Sequence, residues 1–318
     1  GYEALSSEDG NGYNTAIGSG ALKTLDGSSD THNVAIGYNA GTLMTTGGGS
    51  VIIGSRAGDA LTGGNWNVAI GFEALSSETN GGVNIAIGHS ALKLLNKNSD
   101  GHNVAIGYAT GDAMTTGSDN VLLGNLAGTG ITTGEQNVAV GKNSLRTEDT
   151  GDHNVAIGHE ALYNLNYDGS GYNVAIGHQT GHDLTTGTKN TLMGALAGDA
   201  LTTGTNNVAI GYEALSGEDQ GSSNVAVGYY ALRNLDSDAG GNTAVGWMAG
   251  LGMSTGSDNV VVGGATGQNT TVGIKNVFVG TQAGYTNVDG SRWVLKNEDG
   301  DNAVDNDGWS YNDTGYLL

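Results

Sequence analysis

Seven histidines are the first residues in this chain whose chemistry invites attention, and their spacing argues against a shared centre. His32 and His102 occupy equivalent positions 70 residues apart and cannot meet. His159 and His178 each follow the glycine of one recurring motif, which would stack them about 4.8 Å apart on neighbouring coils. A metal there would still want a third ligand, and the chain has no cysteine to offer. No Gly-x-Ser-x-Gly elbow, phosphate-cradling loop, His-Glu-x-x-His pair or dinucleotide fingerprint is present, so the residues point away from an enzyme and away from an organic cofactor. Oxygen ligands make a better case. Glu8 and Asp9 precede a coil whose loop carries Asp26 and Asp30, and Asp299, Asp301, Asp305 and Asp307 cluster near the C-terminal end. Hard carboxylate oxygens of this kind could hold calcium, although none matches a full EF-hand loop, and a solvated acidic surface is the default reading of them. Tyr212, Tyr229 and Trp247 fall at one motif position on successive coils, where stacked rings could receive the face of a sugar or simply cover one another.

Composition narrows the partners. The 318 residues include 58 glycines, no proline and no cysteine, and the net charge is −21 with a pI near 4.3. Such a chain repels nucleic-acid phosphates and anionic lipid surfaces. No apolar run approaches the roughly 18 residues of a membrane-spanning helix, so no membrane insertion is expected from this segment.

The elements that must position these residues come from one repeat: Asn, a β-branched residue, a small or apolar residue, Ile/Val/Leu/Met, then Gly, as in Asn33-Val34-Ala35-Ile36-Gly37. Sixteen copies run from Gly18 to Gly280 at intervals of 17 to 19 residues, and four of them make a 70-residue super-repeat. Gly1-Tyr2-Glu3-Ala4-Leu5 returns as Gly71-Phe72-Glu73-Ala74-Leu75 and Gly211-Tyr212-Glu213-Ala214-Leu215. A unit of this length is too short for a helix pair but suits one coil of an all-β, parallel β-solenoid, built of a short strand, a glycine turn, a second short strand and a loop. The expected product is a rod over residues 1–284, with 285–318 as a cap or connector. Asparagine stands four before the glycine in every copy but that of Ser50. Asn33, Asn67, Asn103, Asn137, Asn173 and Asn207 belong to this series, which predicts a structural ladder of side-chain amides bonded from coil to coil.

Strand alternation places the first and third residues of each triplet, such as Val104 and Ile106, on one face, which is expected to be the solenoid core. Small residues three after the glycine (Ala40, Ala57, Ala74, Thr110) and apolar ones seven after it (Leu25, Met44, Leu61, Leu95) would close that core from the other side. The middle residue then points outward, and it too is apolar throughout: Ala35, Ile52, Ala69, Ala105, Leu122, Ala139, Ala175, Leu192, Ala209, Val261 and Phe278 carry no charge and no hydrogen-bonding group. A strand apolar on both faces is normally buried on both. These residues are therefore expected to form an interface between identical chains.

The repeated Asn-Val-Ala-Ile-Gly-Tyr-x-Ala-Leu/Gly units resemble the repetitive shafts of bacteriophage tail fibres and are similar to the head repeats of YadA-type trimeric autotransporter adhesins, over about residues 1–284. The resemblance implies a homotrimeric, extracellular fibre on a virion tail or a bacterial surface, used for attachment to host or surface glycans or receptors. The longer coils and the 70-residue super-repeat depart from the adhesin pattern. Two other readings remain at this level: a calcium-dependent extracellular binding module, and an ice-binding solenoid prompted by Thr-Thr-Gly segments such as Thr45-Thr46 and Thr115-Thr116, which occupy only two coils in four.

Overall fold

A glycine after every triplet forces the chain to turn, because these glycines adopt φ between +119° and +145°, a region closed to other residues. Each also lies against the next coil: a Cβ at Gly124 would sit 2.7 Å from the carbonyl oxygen of Gly141. The computed structural model describes residues 1–8, 12–26, 31–236, 238, 240–269, 271–284 and the backbone of a strand at 293–295. Within these the protein is all-β, a parallel β-solenoid with no helix.

It divides into two units. The first, Gly1–Glu160 with Asn166–Ser170, holds β1 (Thr15–Ile17), β2 (Val34–Ile36), β3 (Val51–Ile53), β4 (Val68–Ile70), β5 (Ile85–Ile87), β6 (Val104–Ile106), β7 (Val121–Leu123), β8 (Val138–Val140) and β9 (Val155–Ile157). The second, Ala161–Leu165 with Gly171–Leu318, holds β10 (Val174–Ile176), β11 (Thr191–Met193), β12 (Val208–Ile210), β13 (Val225–Val227), β14 (Thr243–Val245), β15 (Val260–Val262), β16 (Val277–Val279) and β17 (Trp293–Leu295). In each unit every strand pairs in parallel with the next, motif residue opposite motif residue, as in Val34↔Val51, Ala35↔Ile52 and Ile36↔Ile53. Stacking continues one strand beyond residue 284, because β17 pairs with β16.

Among the described residues only one three-residue strand forms per coil; the expected second strand is a run of turns. Its cause is the backbone two and four residues past each motif glycine, where Asn39 (φ +54°) and Gly41 (φ +58°), or Glu73 (+53°) and Leu75 (+53°), are left-handed and break any extended run. The turns nonetheless bond from coil to coil, as when the Leu22 N–H donates to the Ala40 carbonyl at 3.0 Å and the Thr45 N–H to the Thr62 carbonyl at 2.8 Å.

The core faces the opposite way from the sequence expectation. Ala35, Ile52, Ala69, Ala105, Leu122, Ala139, Ala175, Leu192, Ala209, Val261 and Phe278 are all fully buried within their own chain and form its core, so none of them is a surface for another chain. Val104 and Ile106, expected inside, flank the buried Ala105 on the outer face, Ile106 being 38% exposed. The coil closes over the middle residue because the wall facing it is supplied by Ala40, Ala57, Ala74 and Thr110, and by Leu25, Met44, Leu61, Leu95, Met114, Leu165, Leu184 and Leu201, all completely buried.

Packing inside that wall accounts for the super-repeat. Four residues past the glycine stand Leu75, Leu92, Leu145 and Leu162 in some coils and Gly58, Gly111, Gly128 and Gly181 in others. Alanine occupies the strand of every leucine coil, whereas Ile52, Leu122 and Leu192 reach into the space beside the glycines. A Cβ at Gly111 or at Gly128 would come within 2.8 Å of a Leu122 methyl, and one at Gly181 equally close to Leu192. Large side chains thus alternate between the two walls so that the core is filled without overlap.

Candidate functional site

The asparagine ladder is what keeps the strand polar groups dry yet satisfied. Asn33, Asn67, Asn103, Asn137, Asn173 and Asn207 are at most 1% exposed, on the same inward face as the middle residues. Each uses its amide in two directions. The Asn33 Nδ2 donates to the Gly47 carbonyl at 2.9 Å, and the next coil's Ser50 N–H donates to Asn33 Oδ1 at 2.9 Å. The pattern recurs from Asn67 to Gly81 and Asn84, from Asn103 to Gly117 and Asn120, from Asn173 to Gly187 and Asn190, and from Asn207 to Gly221 and Asn224. Asn137 likewise donates to Gly151 at 2.8 Å and accepts from the Asn154 N–H. These side chains are structural, since both ends of each amide are consumed within the coil stack.

What remains for a partner is the outer sheet face. In the first unit it presents two columns, Thr15 through Val155 and Ile17 through Ile157, and in the second Val174 through Val277 and Ile176 through Val279. Every residue in these columns is Val, Ile, Leu, Met or Thr. Most are half-buried by their neighbours, and Ile17, Ile106, Met193, Ile210, Val245, Val260 and Val279 are openly exposed. With strands about 4.8 Å apart and triplets about 10 Å long, nine strands offer roughly 430 Å² of uncharged surface, comparable to the largest apolar patch of an ordinary soluble monomer. The sequence reading found two apolar faces but assigned them the wrong way round. The signal that could have oriented them is the buried-type asparagine, two residues from the middle position and so on its face, together with Thr15, Thr191 and Thr243, which tolerate water and lie on the other.

A second feature escaped the sequence reading. The position seven past the glycine, buried and apolar in most coils, is glutamate in every fourth: Glu8, Glu78, Glu148 and Glu218. Glu78, Glu148 and Glu218 are fully buried. Glu148 Oε1 accepts the N–H groups of Asp149 (3.1 Å) and Gly151 (2.8 Å), and Oε2 accepts that of Tyr167 (3.4 Å). Glu78 does the same for Thr79, Gly81 and Lys97. Lys97 and Tyr167 both lie in the coil that follows, and that coil is the 19-residue one. The carboxylate is an internal anchor for the two-residue insertion.

Burial pushes the Glu78 and Glu148 carboxyls above the usual glutamate range, and the backbone N–H groups only partly pull them back. Asp199 is raised further, to about 6, by desolvation first and then by the neighbouring charges of Glu213 and Asp183. Its Oδ1 is buried without a hydrogen-bond partner. A carboxyl whose folded pKa exceeds its unfolded value holds its proton more tightly in the folded state, so its contribution is present below the unfolded pKa and is lost as pH rises through the folded one. The melting temperature is therefore expected to fall between pH 4 and pH 6.5. Asp199→Asn should reduce the stability lost across that range by on the order of 1 kcal/mol after allowance for solvent screening. A calorimetric series across this range checks it, and a melting temperature that rises with pH contradicts it.

Tyr212 and Tyr229 stack with ring centroids 5.6 Å apart, and Tyr230 leans on both, at 5.8 and 3.9 Å. Arg233 caps the Tyr230 ring at 4.4 Å while its Nε meets Glu213 at 2.6 Å. Much of this aromatic surface is thus spent on itself; Trp247 is 55% exposed. Threonine hydroxyls are also engaged, Thr45, Thr62, Thr115 and Thr185 each donating to the carbonyl one coil on. Asp299, Asp301, Asp305 and Asp307 lie outside the described residues, as do Asp9 and Asp30. Among the described residues no group of three or more His, Cys, Asp or Glu side chains is placed to hold a metal ion, and no helix is long and apolar enough to cross a membrane. No family model matches the chain, and no curated protein matches it.

Proposed function

We propose that this chain is a structural shaft of an extracellular adhesive fibre, of the phage tail-fibre or bacterial surface kind, and that copies of it associate through the outer sheet face. The observation that carries the reading is that face: uncharged columns of Val and Ile, repeated at strand spacing, left uncovered by the chain's own coil. The partner that fits is a second copy. Its own face has the same pitch and the same apolar side chains, so rows interdigitate without burying a charge, at the roughly 10 Å spacing of stacked sheets. A third copy around an axis meets the same requirement, in keeping with the homotrimeric fibres that the repeats resemble. The interior supports a scaffold role, since the amides of Asn33, Asn67, Asn103, Asn137, Asn173 and Asn207 are consumed by stacking.

Sedimentation or light scattering at micromolar concentration tests the assembly. A mass of two or three times 32.0 kDa is expected for the native chain. Ile87→Glu combined with Ile106→Glu places two carboxylates in the outer column of adjacent strands and should return the mass of one protomer with the circular dichroism unchanged. A single-protomer mass for the native chain would overturn the proposal.

A further inference from the structure

The residue just before most of the ladder asparagines is held in the left-handed region, with φ of +55° at Trp66, +51° at His102, +59° at Asp119 and +57° at Gln136, whereas His32 is not. All four of these side chains are exposed. The side chains in this row change identity from coil to coil, as do those just before it. Two members of the row, Gly49 and Gly241, have no side chain. Gly49 stands between His32 and Trp66, and a Cβ there would lie 2.6 Å from Cδ1 and 2.9 Å from Nε1 of the indole, so the ring reclines over the glycine. On the other side the His32 ring is held by stacking on Tyr13, centroids 5.0 Å apart and planes 19° from parallel. The missing side chain leaves a groove of about 360 Å³ lined by Thr31, His32, Thr46, Asn65 and Trp66 with the Gly48–Gly49 backbone.

The chemistry of that lining is specific. Its one large apolar surface is a flat indole, 66% exposed. Around it stand neutral hydrogen-bonding groups. Asn65 Oδ1 accepts the Gly48 N–H at 2.8 Å, which fixes the amide and leaves its NH₂ as a donor. Thr31 Oγ1 accepts from Asn14 at 2.8 Å, which orients that hydroxyl. Among the described residues no Asp, Glu, Lys or Arg lines the groove, and the net charge of −21 disfavours an anionic ligand. A flat ring beside fixed neutral donors and acceptors matches a pyranose, which has an apolar C–H face and a rim of hydroxyls. We infer that the groove beside Trp66 is a binding site for a neutral saccharide, with the indole as its stacking platform. The inference deepens the adhesive reading and depends on it only for its biological use.

Saturation-transfer NMR with neutral hexasaccharides of glucose, galactose and N-acetylglucosamine as probes tests it directly. Transfer to at least one of the three is expected. It should fall at least fivefold in Trp66→Ala and in Gly49→Asn, which displaces the indole while keeping a residue that tolerates the left-handed backbone, and should persist in Trp247→Ala. Melting temperatures show that the variants are folded. Absence of transfer from all three probes, or equal transfer in Trp66→Ala, overturns the inference. The two readings fail separately: a multi-protomer mass without transfer removes the groove and leaves the shaft, and transfer to a single-protomer species does the reverse.

Discussion

Truncating Leu122 to alanine should destabilise the protein by about 3 kcal/mol, the usual cost of a buried Leu→Ala cavity, while the same truncation of the adjacent Leu123 should cost under about 1 kcal/mol. The two residues are neighbours in one strand and identical in chemistry. They differ only in which side of the sheet they occupy: Leu122 is fully buried between Gly111 and Gly128, and Leu123 is half-exposed on the outer face. Urea unfolding at low protein concentration separates them, and equal effects would refute the orientation of the core. A compensating change sharpens the test. Leu122→Ala with Gly128→Leu recreates the alanine-leucine pairing that Ala139 and Leu145 already make one coil on, with Leu145 at φ +49°. Most of the lost stability should return, because the leucine moves to the opposite wall and fills the same space.

Replacing Glu148 by alanine should cost about as much, roughly 3 kcal/mol, because it leaves the N–H groups of Asp149, Gly151 and Tyr167 without their acceptor in a buried site. Glu148→Gln keeps one carbonyl oxygen for Asp149 and Gly151 but turns an NH₂ towards Tyr167, so about half of that loss is expected. Glu148→Leu copies the residue that other coils carry at this position and restores apolar contact without restoring the bonds. If the carboxylate anchors the longer coil, hydrogen exchange at residues 166–170 should accelerate in all three variants, most in the alanine one. Unchanged protection there would show that the insertion holds itself.

Much of this architecture was legible in one dimension. The recurrence of glycine every 17 to 19 residues and the triplet before it establish a parallel solenoid, and asparagine at a constant offset predicts a bonded ladder. The apolar character of both strand faces was legible as well. Less visible were features that depend on what lies across the coil. Glu78 and Glu148 look like surface acids in a chain of net charge −21, and only the N–H groups arriving from the next coil mark them as internal. Trp66 reads as one more loop aromatic until Gly49 is placed one coil away from it.

The inversion of the core shows where the division lies. A period of two states that Val104 and Ile106 share a face and that Ala105 has the other, but it carries no sign. The sign comes from the turn. Left-handed residues two and four past the glycine carry the chain back over one side of the strand, and the side they cover is that of Ala105 and Asn103. By itself the sequence determined that every coil repeats and that each strand has two apolar faces. Which of those faces the chain would close upon, and which it would leave as columns of valine and isoleucine open to a partner, was decided only by the tertiary structure, because that choice depends on contacts made between residues a whole coil apart.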